Sequence, residues 1–279
     1  MSTWVWVDGR VRPAGEATVA ATDHGVTVGD GVFETLKVVD GVPFALRRHL
    51  ARLRRSAVVV GLAVPWADDD LRAAADAAIA AAATDAGAGR LRITVTGGPG
   101  PLGSDRGDVV PTLLVAASPG TSWACAADVA VVDWVRNERS AVAGAKTTSY
   151  AENVVALARA RSLGASEAIL ANTRGALCEG TGSNVFLVVD GELCTPSLAT
   201  GCLAGITREL VTELVTVAER DDLTLADLRA APEAFLTSST RDVQPIATID
   251  GVALPAAPGP RTTEAIAALA TLAARSLDP

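Results

Sequence analysis

The chain has 279 residues, 49% of them apolar and 20% charged, enough to bury a sizeable core in one large domain or two. Its 24 basic and 32 acidic side chains leave a net charge of −8, which is no footprint for nucleic acid or an anionic membrane. No apolar run reaches membrane-span length, residues 1–8 lack the basic start of a secretion signal, and Cys125, Cys178, Cys194 and Cys202 form no C-x-x-C pair. The expectation is therefore a cytoplasmic protein of mixed α/β class, with no zinc site and no disulfide framework.

In chain order, residues 3–12 predict a hairpin around Asp8-Gly9, and residues 32–46 predict a second around Asp40-Gly41, both strong type I′ turn signals. A helix follows over 47–61, with Leu50, Leu53, Ala57 and Val60 near one face and Gly61 as its stop. An Asp-rich start predicts a helix over 67–83, and two apolar strands follow at 90–96 and 110–118. Residues 119–124 read as a linker between an N-terminal domain, 1–118, and a C-terminal domain, 125–279. The second half predicts strands near 127–134, 167–171 and 184–189, the last turning at Asp190-Gly191 into a short strand to Thr195. Helices are expected at 150–163, 205–218, 225–230 and 262–276, with a strand at 233–237 and a loop over 253–262.

The chain has only two lysines, Lys37 and Lys146, so 22 of its 24 basic residues are arginine. Under a bias that replaces Lys by Arg, a retained lysine is either a solvated surface residue or one placed where an amine able to lose its proton is needed. Lys146 sits among small residues in Gly144-Ala145-Lys146-Thr147-Thr148-Ser149-Tyr150, ahead of a helix. Downstream lie Glu179 in a turn entering an apolar strand, the helix start Gly205-Ile206-Thr207, and the hydroxyl-rich run Thr237-Ser238-Ser239-Thr240-Arg241 after a strand. A lysine, a carboxylate, and a cup of amides, hydroxyls and an arginine together suit pyridoxal phosphate. By contrast, Gly98-x-Gly100-x-x-Gly103 matches a dinucleotide fingerprint but is interrupted by Pro99 and Pro101 and opens no helix; it reads as a substrate-facing lid loop.

These motifs, with Gly29-Asp30-Gly31-Val32-Phe33-Glu34-Thr35 and His49-Leu50-Ala51-Arg52-Leu53-Arg54-Arg55-Ser56-Ala57, resemble the class IV (fold type IV) pyridoxal-phosphate enzymes over nearly the whole chain. The resemblance implies a fold of two α/β domains with the cofactor in the interdomain cleft, in a homodimer. It implies that Lys146 forms the Schiff base with the cofactor and moves the substrate proton, and that Glu179 pairs with the pyridine nitrogen. Arg52, the amides of Ile206 and Thr207, the Thr207 hydroxyl, Ser239 and Thr240 would contact the phosphate. Tyr150 falls one residue short of the tyrosine that relatives place against the cofactor, and Thr35 stands where aminodeoxychorismate lyases carry a threonine linked to proton transfer.

The implied chemistry is transamination between a D-amino acid, such as D-alanine or D-glutamate, and a 2-oxo acid, with (R)-amines a further donor class. Aminodeoxychorismate lyase is the alternative, followed by a branched-chain L-amino acid aminotransferase. The Arg-x-His pair of D-amino acid aminotransferases is replaced here by Gly97-Gly98. Phe33, Arg92, Arg106 and Arg241 are therefore the expected substrate-binding residues, with Arg90, Arg136 and Arg139 as further candidates for the carboxylate anchor. No metal is expected.

Overall fold

The computed structural model describes residues 3–83 and 89–279; Met1, Ser2 and 84–88, all within the expected first domain, lie outside the described residues. The chain forms two compact units. The first runs as far as Ser122 and includes Ala145–Tyr150 and Ser276–Pro279; the second holds Trp123–Gly144 and Ala151–Arg275. The division falls inside the expected linker, and the segment carrying Lys146 lies with the first unit rather than with the rest of 125–279.

The first unit comprises β1 (Trp4–Val7), β2 (Arg10–Pro13), α1 (His24–Thr27), β3 (Gly31–Val39), β4 (Val42–Pro43), α2 (Leu46–Val59), α3 (Asp68–Ala82), β5 (Arg90–Thr96) and β6 (Thr112–Ser118). Its sheet has the order β2-β1-β6-β5-β3-β4, with every pair antiparallel. Both Asp-Gly turns form as expected: Asp8, Gly9, Asp40 and Gly41 all have positive φ, the conformation a type I′ turn requires. Strand β6 alternates half-buried and buried residues along its length, so one sheet face is covered. The cover is α2 and α3, whose Leu50, Leu53, Leu71 and Ala75 pack with Leu36, Leu91, Ile93 and Val115 of the sheet. Strand β3 departs from this alternation, since Gly31, Val32, Phe33 and Glu34 are all buried. Residues 146–148 cover that end of the strand: Phe33 N donates to Lys146 O (3.1 Å) and Thr148 N donates to Gly31 O (2.8 Å).

The second unit comprises β7 (Ala127–Arg136), α4 (Ala151–Ser162), β8 (Glu167–Asn172), β9 (Leu177–Gly180), β10 (Asn184–Val189), β11 (Glu192–Pro196), α5 (Ile206–Leu214), β12 (Ala218–Arg220), α6 (Leu225–Ala230), β13 (Ala234–Ser238), β14 (Asp242–Ile249), β15 (Val252–Ala253) and α7 (Pro260–Arg275). Its mixed sheet has the order β12-β11-β10-β13-β14-β7-β8-β9, with β15 on β14. The pairs β14–β7, β7–β8 and β11–β12 are parallel. Leu177, Val185, Leu187, Leu236 and Ile246 form its core.

Several elements differ from expectation. The strand expected through Leu46 stops at Pro43, and Ala45 takes a left-handed turn (φ 55°) directly into α2. The helix expected over 205–218 ends at Leu214 because Val215, Thr216 and Val217 favour extended backbone, and Ala218–Arg220 joins the sheet beside β11. Strand β14 was not anticipated: Pro245 argues against a central strand, yet it lies opposite Phe235 in β13. Among the described residues no helix is long and apolar enough to cross a membrane.

Candidate active site

In the first unit, alternation along β3 sorts its residues by face. Val32 and Leu36 join the core under α2, and Glu34 is buried on that side. Phe33 and Thr35 project from the other face, as do their register partners on β5, Thr94 and Arg92. The Arg92 guanidinium lies 3.6 Å from the Phe33 ring centroid and the Lys146 amine 4.4 Å from the same centroid. Tyr150 meets Phe33 edge-on (5.1 Å between centroids) and places its hydroxyl 3.3 Å from Lys146 Nζ. The only tyrosine of the chain thus reaches the lysine amine despite its one-residue offset.

Helix α2 supplies the frame. Its face carries His49, Arg52 and Ser56, spaced by three and four residues beside Leu46, Leu50, Leu53 and Ala57, and all are buried. Arg52 grips Glu34 through two bonds (Nε to Oε1, 2.8 Å; Nη2 to Oε2, 2.6 Å), and His49 Nδ1 lies 2.6 Å from Glu34 Oε2. Burial works to raise the Glu34 pKa, but Arg52 and His49 outweigh it and hold the carboxyl at about 2. Burial pushes the His49 pKa below its usual range, against the opposing pull of Glu34. One turn further along, Ser56 Oγ accepts the backbone N–H of Lys146 at 3.0 Å. Helix α2 therefore holds Arg52 and the lysine backbone from the same face.

In the second unit, Glu179 on β9 is buried. Its Oε1 lies 3.0 Å from Arg136 Nε, and its Oε2 accepts Leu203 N at 2.9 Å. Arg136 is held in turn by Asn153 (3.0 Å). Asn184 donates to Leu203 O at 2.8 Å, so one loop ties the Glu179 carboxylate to the start of α5. That start has Gly205 as its N-cap with no side-chain cap, which leaves Ile206 and Thr207 amides facing outward from the positive end of the helix. A Cβ at Gly205 would displace the Asn184 side chain that donates to Leu203 O. Ser239 and Thr240 stand in the three-residue loop between β13 and β14, where Ser238 pairs with Asp242.

The other expected residues fall as follows. Thr35 is half-buried and opposite Arg92. Arg106 is tied to Asp30 (2.5 and 2.6 Å) and to the carbonyls of Val60 and Gly61, so its guanidinium has intramolecular partners. It pins the loop after Gly98, which opens no helix; the loop is also held by His24 Nε2 at 2.8 Å from Pro101 O. Arg241 is engaged with Glu167, Gln244 and Trp123. Arg136, a candidate anchor, pairs with Glu179. Glu34, His49, Ser56, Asn184 and Glu167 support the site without having been assigned a role from sequence. For His49 and Ser56 the signal was present, as polar residues on the apolar face of a helix.

The amino-transferase class IV family profile matches residues 31–249. A putative branched-chain-amino-acid aminotransferase of Methanocaldococcus jannaschii is 34% identical over 88% of both chains, and a D-alanine aminotransferase of Listeria innocua 32% identical over 89% of this chain and 88% of its own. A bifunctional aminodeoxychorismate lyase / D-amino acid transaminase of Mycobacterium tuberculosis is 31% identical over 91% and 93%. Among solved structures, the branched-chain aminotransferase of Thermoproteus uzoniensis with norvaline superposes with a TM-score of 0.85 at 30% identity, over 99% of this chain and 96% of that one. A hypothetical aminotransferase from Mycobacterium tuberculosis in pyridoxal-phosphate-bound form gives 0.83 at 27% identity, over 96% and 98%. The chain belongs to the class IV aminotransferases, a pyridoxal-phosphate-dependent family of transferases.

Proposed function

We propose that this enzyme exchanges an amino group between a D-amino acid, such as D-alanine or D-glutamate, and a 2-oxo acid. The observation that carries the reading is the Arg92 guanidinium stacked on Phe33, with the Lys146 amine on the same ring. A fixed cation beside the reacting amine suits a substrate that bears a carboxylate, which favours amino acids over simple (R)-amines. The relatives named D-alanine aminotransferase support the choice of donor.

The residues present fit pyridoxal phosphate: a primary amine in Lys146, a buried carboxylate in Glu179, and an α5 start without a side-chain cap. Lys146 would bind it covalently, Glu179 would face its pyridine nitrogen, and Arg52, Ile206, Thr207, Ser239 and Thr240 would receive its phosphate. The cofactor supplies an electron sink for the bond broken at the substrate carbon. Lys146 then takes and returns the proton at that carbon, and Phe33 and Tyr150 limit where its amine can swing. Arg136, 3.0 Å from its Oε1, orients Glu179.

Aminodeoxychorismate cleavage is the second reading. It is favoured by Thr35, half-buried opposite Arg92, and by the bifunctional Mycobacterium tuberculosis relative. Pyruvate formed from D-alanine and 2-oxoglutarate distinguishes the readings. The expected result is turnover with D-alanine that exceeds turnover with L-leucine. Pyruvate release from aminodeoxychorismate without any 2-oxo acid, together with inertness toward D-alanine, would overturn the transaminase reading. Arg92→Ala should raise KM for D-alanine by about 10- to 150-fold, the loss of one charge-assisted bond, with a smaller change in kcat.

A further inference from the structure

Arg241 follows directly on Ser239 and Thr240, and Glu167 opens β8, so neither would be expected to share a contact with the turn that follows Glu179. The structure brings all of these together inside the second unit. The Glu167 side chain is 3% exposed and that of Arg241 5% exposed, so this is not a surface ion pair. Glu167 Oε1 accepts the Thr181 backbone N–H (3.1 Å) and, in a short bond, the Thr181 hydroxyl; its Oε2 accepts the Ser183 hydroxyl at 3.1 Å. Thr181 and Ser183 belong to the turn between Glu179 and β10. From the other side, Arg241 Nη2 reaches Glu167 Oε2 at 3.4 Å and Ser166 O at 3.3 Å. Arg241 is itself fixed by Gln244 (Nη1 to Oε1, 2.5 Å) and by the Trp123 ring, 3.7 Å from its guanidinium carbon. Its backbone N–H closes the loop onto Ser238 O and Oγ, both at 3.2 Å.

We infer that Glu167 and Arg241 form a buried clasp that sets the turn after Glu179 and the Ser239–Thr240 loop at a fixed separation. Arg241 is then a positioning residue and not a substrate anchor. The inference rests on the proposed assignment of Glu179 to the pyridine nitrogen and of Ser239 and Thr240 to the phosphate, the two ends of one rigid ligand. A rigid ligand rewards fixed separation: donors that wander must be ordered again each time it binds. Glu167 suits the role because a carboxylate accepts from several donors at once, and here it receives three from the turn and one from the loop. A carboxamide would turn an NH₂ toward either the hydroxyls or the guanidinium and so break one side of the clasp.

The test is titration of pyridoxal phosphate into apoprotein, with melting of the apoprotein and KM for D-alanine on the saturated enzyme as companion readings. Glu167→Gln and Arg241→Gln should each weaken cofactor binding about tenfold or more, and the double variant should be no worse than the weaker single one, since they break the same clasp. Arg241→Lys, which keeps the charge facing Glu167, should recover most of the affinity. KM for D-alanine should stay within about twofold throughout. A tenfold rise in KM with cofactor affinity unchanged would make Arg241 a substrate anchor and overturn the inference. A lowered melting temperature with unchanged cofactor affinity would make the pair merely structural and overturn it equally. Should Glu167→Gln not fold, Ser183→Ala decides, because it removes one donor without burying a new charge; the expected loss in affinity is a few-fold, and none would refute the clasp. Thr207→Val, run alongside, separates the two levels: if it too leaves cofactor binding intact, the site assignment fails rather than the clasp.

Discussion

Glu34 shows how a single buried charge ties stability to the site. It sits on the core face of β3, fully buried, with Arg52 and His49 as its partners. Its carboxyl titrates near 4.5 when free and at about 2 in the folded protein. A depressed folded value means stability that is complete above the free value and lost as pH falls through the folded one. The difference corresponds to roughly 3 kcal/mol at pH 7. Denaturant unfolding should therefore show the wild type weakening between about pH 4.5 and pH 2, whereas Glu34→Gln should be less stable at pH 7 and flatter across that window. Parallel pH profiles for the two proteins would remove Glu34 from this account. Glu34 was visible in the sequence only as part of a motif, because its partners lie 15 and 18 residues away on a helix whose register a one-dimensional reading does not supply.

At the scale of elements, α2 carries the most site structure on the least local support. Its N-cap, Ala45, has no side chain able to cap and adopts a left-handed conformation. The missing acceptors come from the far end of the chain: Leu277 O accepts Ala45 N at 2.7 Å, and Asp278 Oδ1 accepts Arg47 N at 3.0 Å. Asp278→Ala should cost about 1 kcal/mol, the usual loss of an N-cap, while Asp278→Asn should keep most of it because an amide oxygen also accepts. Thermal melts of the two variants check this, and equal losses would mean that the charge and not the cap matters. Local signals such as the two Asp-Gly hairpins and the Asp-rich start of α3 were legible, since each is set by residues adjacent in sequence. Strand β14 was not, because its Pro245 and four buried residues in a row, Val243 to Ile246, imitate no alternating strand pattern; neighbours on both sides impose it. Strand β9, read as a turn, is likewise held by β8.

At the scale of the molecule, family membership was legible in the order of motifs along the chain. What was not legible was the company each residue keeps. Arg106, Arg136 and Arg241 looked equally available to a substrate carboxylate, yet each has an acidic partner from a distant segment: Asp30, Glu179 and Glu167. Arg92 differs in lying on an aromatic ring beside the lysine amine. Partner choice depends on register and crossing of elements, which the sequence encodes only through the whole fold.

The presence of only two lysines makes the assignment of Lys146 open to a decisive measurement. Borohydride reduction of the pyridoxal-phosphate-loaded enzyme, followed by peptide mass spectrometry, fixes the cofactor to whichever amine holds it. The phosphopyridoxyl mass is expected on the peptide containing Lys146, with loss of absorbance near ~410–420 nm on reduction, and neither is expected in Lys146→Arg. A label on Lys37, or an undiminished label in Lys146→Arg, would contradict that assignment.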